Sequence, residues 1–384
     1  MPLLSIVVPT RDRIATALPC IRHLLTMPGN DFEVVVSDCG ASRELGDAIS
    51  AISDVRLVYA PIAPCSMTEN FNNGVRHCSG DYVSLIGDDD MFLQAGLDTV
   101  RRLAPSGVDA IVSPYRAGYY WDGFPDVALA GKLTLTDLDV DTSGHRSIGW
   151  APDRTVRSRS ALVDLLRSGD SLPLPVVYHG VIARRHLDAV AARTGAVFKT
   201  QAPDTYLTGA LCTLMDEYVI VDRPLTLFGK SQQSNSARLL VKDGLTKHRD
   251  EFVGSARELD ALVPPVDTVE TYVTDSWIRA FRDMGDTELL DIFIRGYLAR
   301  SYSDSLRRNP RQVIGTLRHL LVTARRNDPR VASMKFAKSL VGYTAKRVAA
   351  RLGDRVRAPR STITERIDVP SFEIAIALVE SRVK

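Results

Sequence analysis

The chain is poor in cysteine, has no long apolar run and shows no internal repeat, and each shortage removes a class of protein. Five cysteines, Cys20, Cys39, Cys65, Cys78 and Cys212, are scattered through 384 residues. None forms a CxxC pair, which argues against a zinc knuckle and against a disulfide framework. A reducing, cytoplasmic compartment is therefore expected. No apolar stretch has the length of a membrane span. The start lacks the basic, apolar and small-residue regions of a signal peptide. Residues 3–8 instead form a short apolar run closed by Pro9, which predicts a buried strand. No tandem repeat or low-complexity tract is present.

Charge of one sign is missing locally. Residues 302–360 hold 15 Lys or Arg against three Asp, a net +12 in a chain whose total is +2, so the rest carries −10. Apolar residues at 45% and charged residues at 24% describe a globular protein. The length suits a catalytic domain with an appendage.

Strand and helix patterns alternate through the first hundred residues. Strands are expected at 3–8, 32–37, 55–59, 82–86 and 110–113, with helices at 13–27, 42–52, 68–77 and 94–103. Continuous apolar strands separated by helices predict an α/β fold, Rossmann-like, with a mostly parallel sheet covered on both faces. Ligands of such sheets bind beyond the carboxyl ends of the strands. Asp12, Asp38 and the run Asp88-Asp89-Asp90 all follow strands at that edge. Three adjacent carboxylates beyond a buried strand repel one another unless a cation offsets them, and hard oxygen ligands suit Mg²⁺ or Mn²⁺. Capping of the helix before Gln94 would need one Asp, not three.

From residue 115 to 149 the periodicity fades around Tyr119, Tyr120, Trp121 and Phe124, a lid, a substrate-facing insertion or a second core cluster. Further helices are expected near 159–167, from 185 and at 207–215, with a strand at 218–221. The polar run 229–236 reads as a flexible loop. The division drawn is 1–235 for the catalytic domain, split at 113 into nucleotide-binding and acceptor-binding halves, and 236–384 for a mainly helical region.

Four segments in order resemble the inverting glycosyltransferases of family 2. They are Pro9-Thr10-Arg11-Asp12-Arg13, Asp38-Cys39-Gly40-Ala41-Ser42, the stretch from Asn70 and Asn73-Gly74 to Ser79-Gly80-Asp81-Tyr82, and Gly87-Asp88-Asp89-Asp90. The resemblance implies a GT-A fold and sugar transfer from a nucleotide diphosphate sugar, UDP-linked as first choice, to a saccharide or lipid-linked acceptor. It implies that Pro9, Thr10, Asp12, Arg13, Asp38 and Asp88 contact the nucleotide sugar. Asp89 or Asp90 would hold Mg²⁺ or Mn²⁺, with Asp89 preferred because Gly87 stands where many members have the first acid. Asp204 falls where members place the catalytic base, and its alternative is a helix N-cap. Asp216 and Glu217 are the fallback.

His179, Tyr120, Trp121, Lys230 and Ser234 are candidates for acceptor or diphosphate contacts, with Arg238 as a further cation and His248 as a further metal ligand. The basic stretch 302–360 is interleaved with apolar residues, compatible with peripheral contact at the inner face of a membrane. It equally suits a solvated face or a subunit contact in a homo-oligomer. No nucleic-acid module accompanies it. Two rivals stay open: a nucleotidyltransferase of related fold, which the absence of a Gly-rich loop after the first strand disfavours, and a non-catalytic sugar-binding or scaffold protein.

Overall fold

The computed structural model describes residues 1–113, 116–136, 153–168, 172–234, 259–266, 268–308, 313–354 and 363–383. Arg238, His248 and parts of the basic stretch (309–312 and 355–360) lie outside them.

Nine of the first ten elements follow the alternation expected, and the two-residue strand at Met91–Phe92 is an addition. The ten are β1 (Leu4–Thr10), α1 (Ile14–Thr26), β2 (Phe32–Asp38), α2 (Glu44–Ser50), β3 (Leu57–Pro61), α3 (Met67–Arg76), β4 (Tyr82–Leu85), β5 (Met91–Phe92), α4 (Gln94–Leu103) and β6 (Ala110–Val112). β7 (Arg116–Tyr120), β8 (Lys132–Thr136), β9 (Arg154–Arg157), α5 (Ser158–Ser168), β10 (Val181–Ala183), α6 (Arg184–Thr194), α7 (Pro203–Leu214), β11 (Glu217–Ile220) and β12 (Thr226–Lys230) come next.

The main sheet has eight strands in the order β3-β2-β1-β4-β10-β6-β11-β9. Its first four are mutually parallel, and β10 runs antiparallel between β4 and β6. Both faces are covered, which is why β1 and β2 are buried at every position. Leu4, Ile6 and Val8 pack in the cluster that holds α1 and α4, and Val7 points to the opposite face against α3. Helix α3 starts in a capping box, Ser66 with Glu69, so Glu69 serves the helix start. Asn70 and Asn73 then tie the strand ends together. Their amides donate to the carbonyls of Thr10 and Ala60, and both engage the Ser37 hydroxyl.

A second sheet, in the order β13-β8-β7-β12-β5, departs from the sequence expectation. The segment read as a flexible loop begins with β12, which pairs in parallel with β7 and antiparallel with β5. The turn after it is buried at Ser231 and Ser234.

Beyond residue 259 come α8 (Val269–Asp283), α9 (Thr287–Arg295), α10 (Leu298–Arg308), α11 (Val313–Val322) and α12 (Met334–Asp354), then β13 (Ile363–Asp368) and α13 (Phe372–Val383). Helices α8 to α12 share a core with α5 around Trp277, Phe281, Phe293 and Tyr302. The end of the chain does not stay with them. β13 adds to β8 in the second sheet, and Phe372 of α13 packs on Trp121 and Tyr119, with centroids 4.6 Å and 5.4 Å away. The cut at 235 thus separates elements that share one sheet, because β8 leaves an edge that only β13 pairs.

Phe372 is almost fully buried. Phe372→Ala is expected to cost about 3 kcal/mol or more by chemical denaturation. A cost within the range of an ordinary surface substitution would mean that α13 is not part of the catalytic core.

Candidate active site

The acidic tip begins where β4 ends. Asp88, Asp89 and Asp90 are all buried, with relative exposures of 1%, 4% and 1%. Burial disfavours ionised carboxylates, so each needs donors.

Asp88 receives the hydroxyl of Thr10 at 2.7 Å and the guanidinium of Arg13 at 3.1 Å. Burial still raises its pKa above the ordinary value, against the pull of Arg13. Burial works against the charge on Arg13, but Asp88 and Asp89 more than offset it and its pKa rises. Asp90 takes the amide of Gly229 at 2.7 Å on one oxygen. Its other oxygen takes the amide of Gly87 at 2.6 Å and the Tyr178 hydroxyl at 3.2 Å. Asp89 accepts from the amide of Ser231 at 3.0 Å through Oδ2, and no protein donor among the described residues takes Oδ1. Burial first, then Asp90 and Asp88, push the Asp89 carboxyl up to about 7. Asp89 is the acid that the protein leaves least compensated.

A cavity of about 490 Å³ opens beside this tip. Pro9, Thr10, Arg13 and Asp88–Asp90 line it, and so do Asp204, Lys230 and Ser234. Asp204 is the second residue of α7, after Ala202 at the N-cap and Pro203 in the first turn, so it is not the cap. Burial raises its pKa against the opposing pull of the backbone amides of Asp204 and Thr205. A carboxylate held this way is a stronger proton acceptor than one in water.

Other candidates sit behind the cavity wall. Asp12 takes the amides of Ala41 and Ser42, at 2.8 Å and 3.0 Å, and fixes the turn after β2. Asp38 takes the amide of Gly40 and the hydroxyl of Tyr59. Tyr120 packs on Phe124, under the Lys230 ammonium at 5.1 Å from its ring. Trp121 donates its indole N–H to the Asp89 carbonyl at 3.0 Å. Packing and hydrogen bonds within the protein engage both aromatic groups. His179 is likewise buried: Nδ1 meets the Thr226 hydroxyl at 2.9 Å and its ring lies on Phe228. Its Nε2 is 3.2 Å from Asp90 Oδ2 but lacks hydrogen-bond alignment.

Asp12, His179 and Thr200 adopt positive φ, of 53°, 65° and 68°. Each adjoins a cavity residue, Arg11, Tyr178 and Gln201. Strained backbone held by its surroundings at one pocket is a mark of a functional site.

One wall of the cavity has no motif in the sequence. Val269, Tyr272 and Val273 of α8 line the cavity beyond Asp204. Helix α8 reaches it by lying close on α7 at Gly209, where a Cβ would come within 2.9 Å of the Ala280 Cβ. An apolar helical face carries no motif, and only that close approach hints at the contact.

No cluster of three or more His, Cys, Asp or Glu able to hold a metal ion occurs among the described residues. The donors nevertheless fit a cation that arrives with a diphosphate. Mg²⁺ commonly takes one or two carboxylates and completes its shell with substrate oxygens and water. Asp89, under-compensated and beside the cavity, is such a carboxylate.

The fold and this edge define an α/β protein with an acidic-tipped strand over a ligand cavity. Residues 5–130, about a third of the chain, match the model for Glycosyl transferase family 2. The mostly parallel sheet flanked by helices, followed by a mainly helical region, is the α/β arrangement expected from the sequence. A stretch of 117 residues is 28% identical to the GalNAc(5)-diNAcBac-PP-undecaprenol beta-1,3-glucosyltransferase of Campylobacter jejuni subsp. jejuni. It covers 28% of this chain and 36% of that enzyme, so the match spans about a third of the relative's length. Among solved structures, S. aureus TarS 1-349 in complex with UDP-GlcNAc is similar at 15% identity and TM-score 0.46, over 92% of both chains. Mannosyltransferase PcManGT from Pyrobaculum calidifontis, in complex with GDP-Man and Mn2+, is similar at 14% identity and TM-score 0.39. That alignment covers 99% of this chain and 87% of the other.

Arg13 is the one cation hydrogen-bonded to the tip among the described residues. Arg13→Met is expected to cost about 3–5 kcal/mol by leaving Asp88 buried and unpaired. Adding Asp88→Asn should recover part of that loss, and a double-mutant cycle with no coupling would remove the pair from the site's support.

Proposed function

We propose that the protein is an inverting, metal-dependent glycosyltransferase that moves a sugar from a nucleotide diphosphate sugar to an acceptor hydroxyl. The observation that carries this reading is the sharing of one cavity by Asp204 and the Asp88–Asp90 tip. The family match over residues 5–130 supports it. A UDP-linked donor is the first choice, on the resemblance of the motifs. The acceptor is a saccharide or a lipid-linked saccharide, and the undecaprenol-linked acceptor in the Campylobacter relative's name supports the second. All five cysteines are free thiols, which favours the cytoplasm as the site of action.

In this mechanism Asp204 accepts the proton of the acceptor hydroxyl. The hydroxyl oxygen forms a bond to the anomeric carbon as the bond from that carbon to the diphosphate oxygen breaks on the opposite face. Arg13 and Thr10 hold Asp88 in place, and Lys230 adds positive charge at the cavity edge. Mg²⁺ or Mn²⁺ held at Asp89, with Asp90 beside it, would neutralise charge on the departing diphosphate. The anchored turn at Ser231 and Ser234 helps to exclude water, whose attack on the donor is the competing reaction.

The test is metal-dependent release of nucleoside diphosphate from a panel of nucleotide sugars. Asp89→Asn is expected to abolish it. Asp204→Asn is expected to lower kcat by about 10²–10⁴ while nucleotide still raises Tm. Nucleotide binding with no turnover of any donor would favour a sugar-binding protein, and pyrophosphate release from a nucleoside triphosphate would favour a nucleotidyltransferase.

A second prediction concerns pH. The pKa of Asp204 is raised, so the base form is lost on acidification at a higher pH than for an ordinary Asp. kcat/KM should therefore rise with pH through that raised value and then level off. The acid limb should disappear from the residual activity of Asp204→Asn, and an unchanged limb would assign the base to another residue.

A further inference from the structure

Helices α11 and α12 are both anchored to α10. Tyr302 of α10 shares a hydrogen bond with His319 and packs its ring against Phe336. Ser303 bonds Thr344. Leu320, Leu340 and Tyr343 pack inward around the same core. These contacts use one face of each helix.

The opposite faces are apolar as well. At 3.6 residues per turn, Ile314, Leu317, Arg318 and Leu321 lie within about 100° of one another on α11. Met334, Lys338 and Val341 share a strip about 60° wide on α12. Ile314, Met334 and Val341 are exposed at 82%, 72% and 68%. Exposed apolar side chains at this spacing, mixed with cations, are more than a solvated face needs. Between residues 313 and 353 the sole acid is Asp328, which is buried and paired with Arg330.

We infer that the outward faces of α11 and α12 dock on an anionic lipid bilayer. The charge pattern favours this occupant: the stretch 302–360 carries +12 and the remainder −10, so an anionic surface attracts one side of the molecule and repels the rest. The residue types favour it over a second copy. Protein interfaces concentrate aromatic side chains and deplete Lys at their centres. The outward strips hold aliphatic tips with Arg318 and Lys338 and no aromatic ring, the composition of a helix seated at the headgroup boundary. The inference deepens the reading above by placing the enzyme where a lipid-linked acceptor would sit. Vesicle binding is measured without sugar transfer, so the two can fail separately.

The experiment is flotation of the full chain with vesicles of phosphatidylcholine, with and without phosphatidylglycerol, at low and high salt. Binding is expected only with phosphatidylglycerol and should weaken as salt rises. Arg318→Gln with Lys338→Gln should reduce affinity about 25-fold. Ile314→Ser, Met334→Ser and Val341→Ser together should reduce it at least about tenfold, with Tm unchanged because these side chains project outward. Equal binding to neutral vesicles, or wild-type binding by both variants, would overturn the inference. So would light scattering that finds a dimer of the unmodified chain which the triple variant dissociates, without vesicle binding by either.

Discussion

Three carboxylates buried side by side at the end of one strand set the terms for the rest of the molecule. Isolated buried charge is among the most expensive things a fold can contain. The donors that offset it come from four places: Thr10 and Arg13 at the end of β1, the Gly87 amide beside the tip, Tyr178 before β10, and the Gly229 and Ser231 amides around the end of β12. The last two belong to the second sheet and its following turn. Asp89 and Asp90 therefore join the two sheets, and the cavity lies at that join. Close approach is part of the arrangement. A Cβ on Gly229 would fall 1.4 Å from the Asp89 carbonyl oxygen, so only glycine permits the backbone contact.

The same constraint explains why the end of the chain returns to the second sheet. Trp121 donates to the Asp89 carbonyl, and Phe372 of α13 covers Trp121. β13 closes the edge at β8 below it. The helical region contributes as well, where α8 lies on α7 and lines the wall near Asp204. Both the tail and the helical region thus contribute to the surroundings of the site.

What could be read from the sequence was what is local. β1 to β4 and α1 to α4 follow from uninterrupted apolar runs and helical spacing. The tip and Arg13 lie in short segments whose order is legible, and Asp204 stands between a Pro and an apolar helical pattern. The second sheet was hidden because its strands are short and its pairings span long stretches of chain: β5 has two residues and pairs with β12, and β8 pairs with β13. β12 carries Gly229 and Lys230 and leads into a polar turn, a composition that reads as loop until its amides are seen to serve Asp89 and Asp90. Tyr120 and Trp121 have the chemistry to face a sugar, and the fold also packs their rings on Phe124 and Phe372, which no local pattern shows. The cavity wall on α8 has no local signature.

The geometry also separates the roles of two neighbouring acids that the motif leaves interchangeable. Both oxygens of Asp90 accept hydrogen bonds from groups that the fold needs in place. Pulling Asp90 onto a cation would loosen the contact between the sheets. Asp89 spends one oxygen on Ser231 and has no described protein donor on the other. Its carboxyl is pushed up to about 7 by burial and by its two neighbours, so it gains most from a nearby positive charge. On the proposed reading Asp90 would be the clamp and Asp89 the acid whose charge awaits a partner. A cation brought by a diphosphate would relieve the electrostatic penalty without disturbing the bonds that hold the sheets together, which is how the metal would be bound with the substrate and not before it.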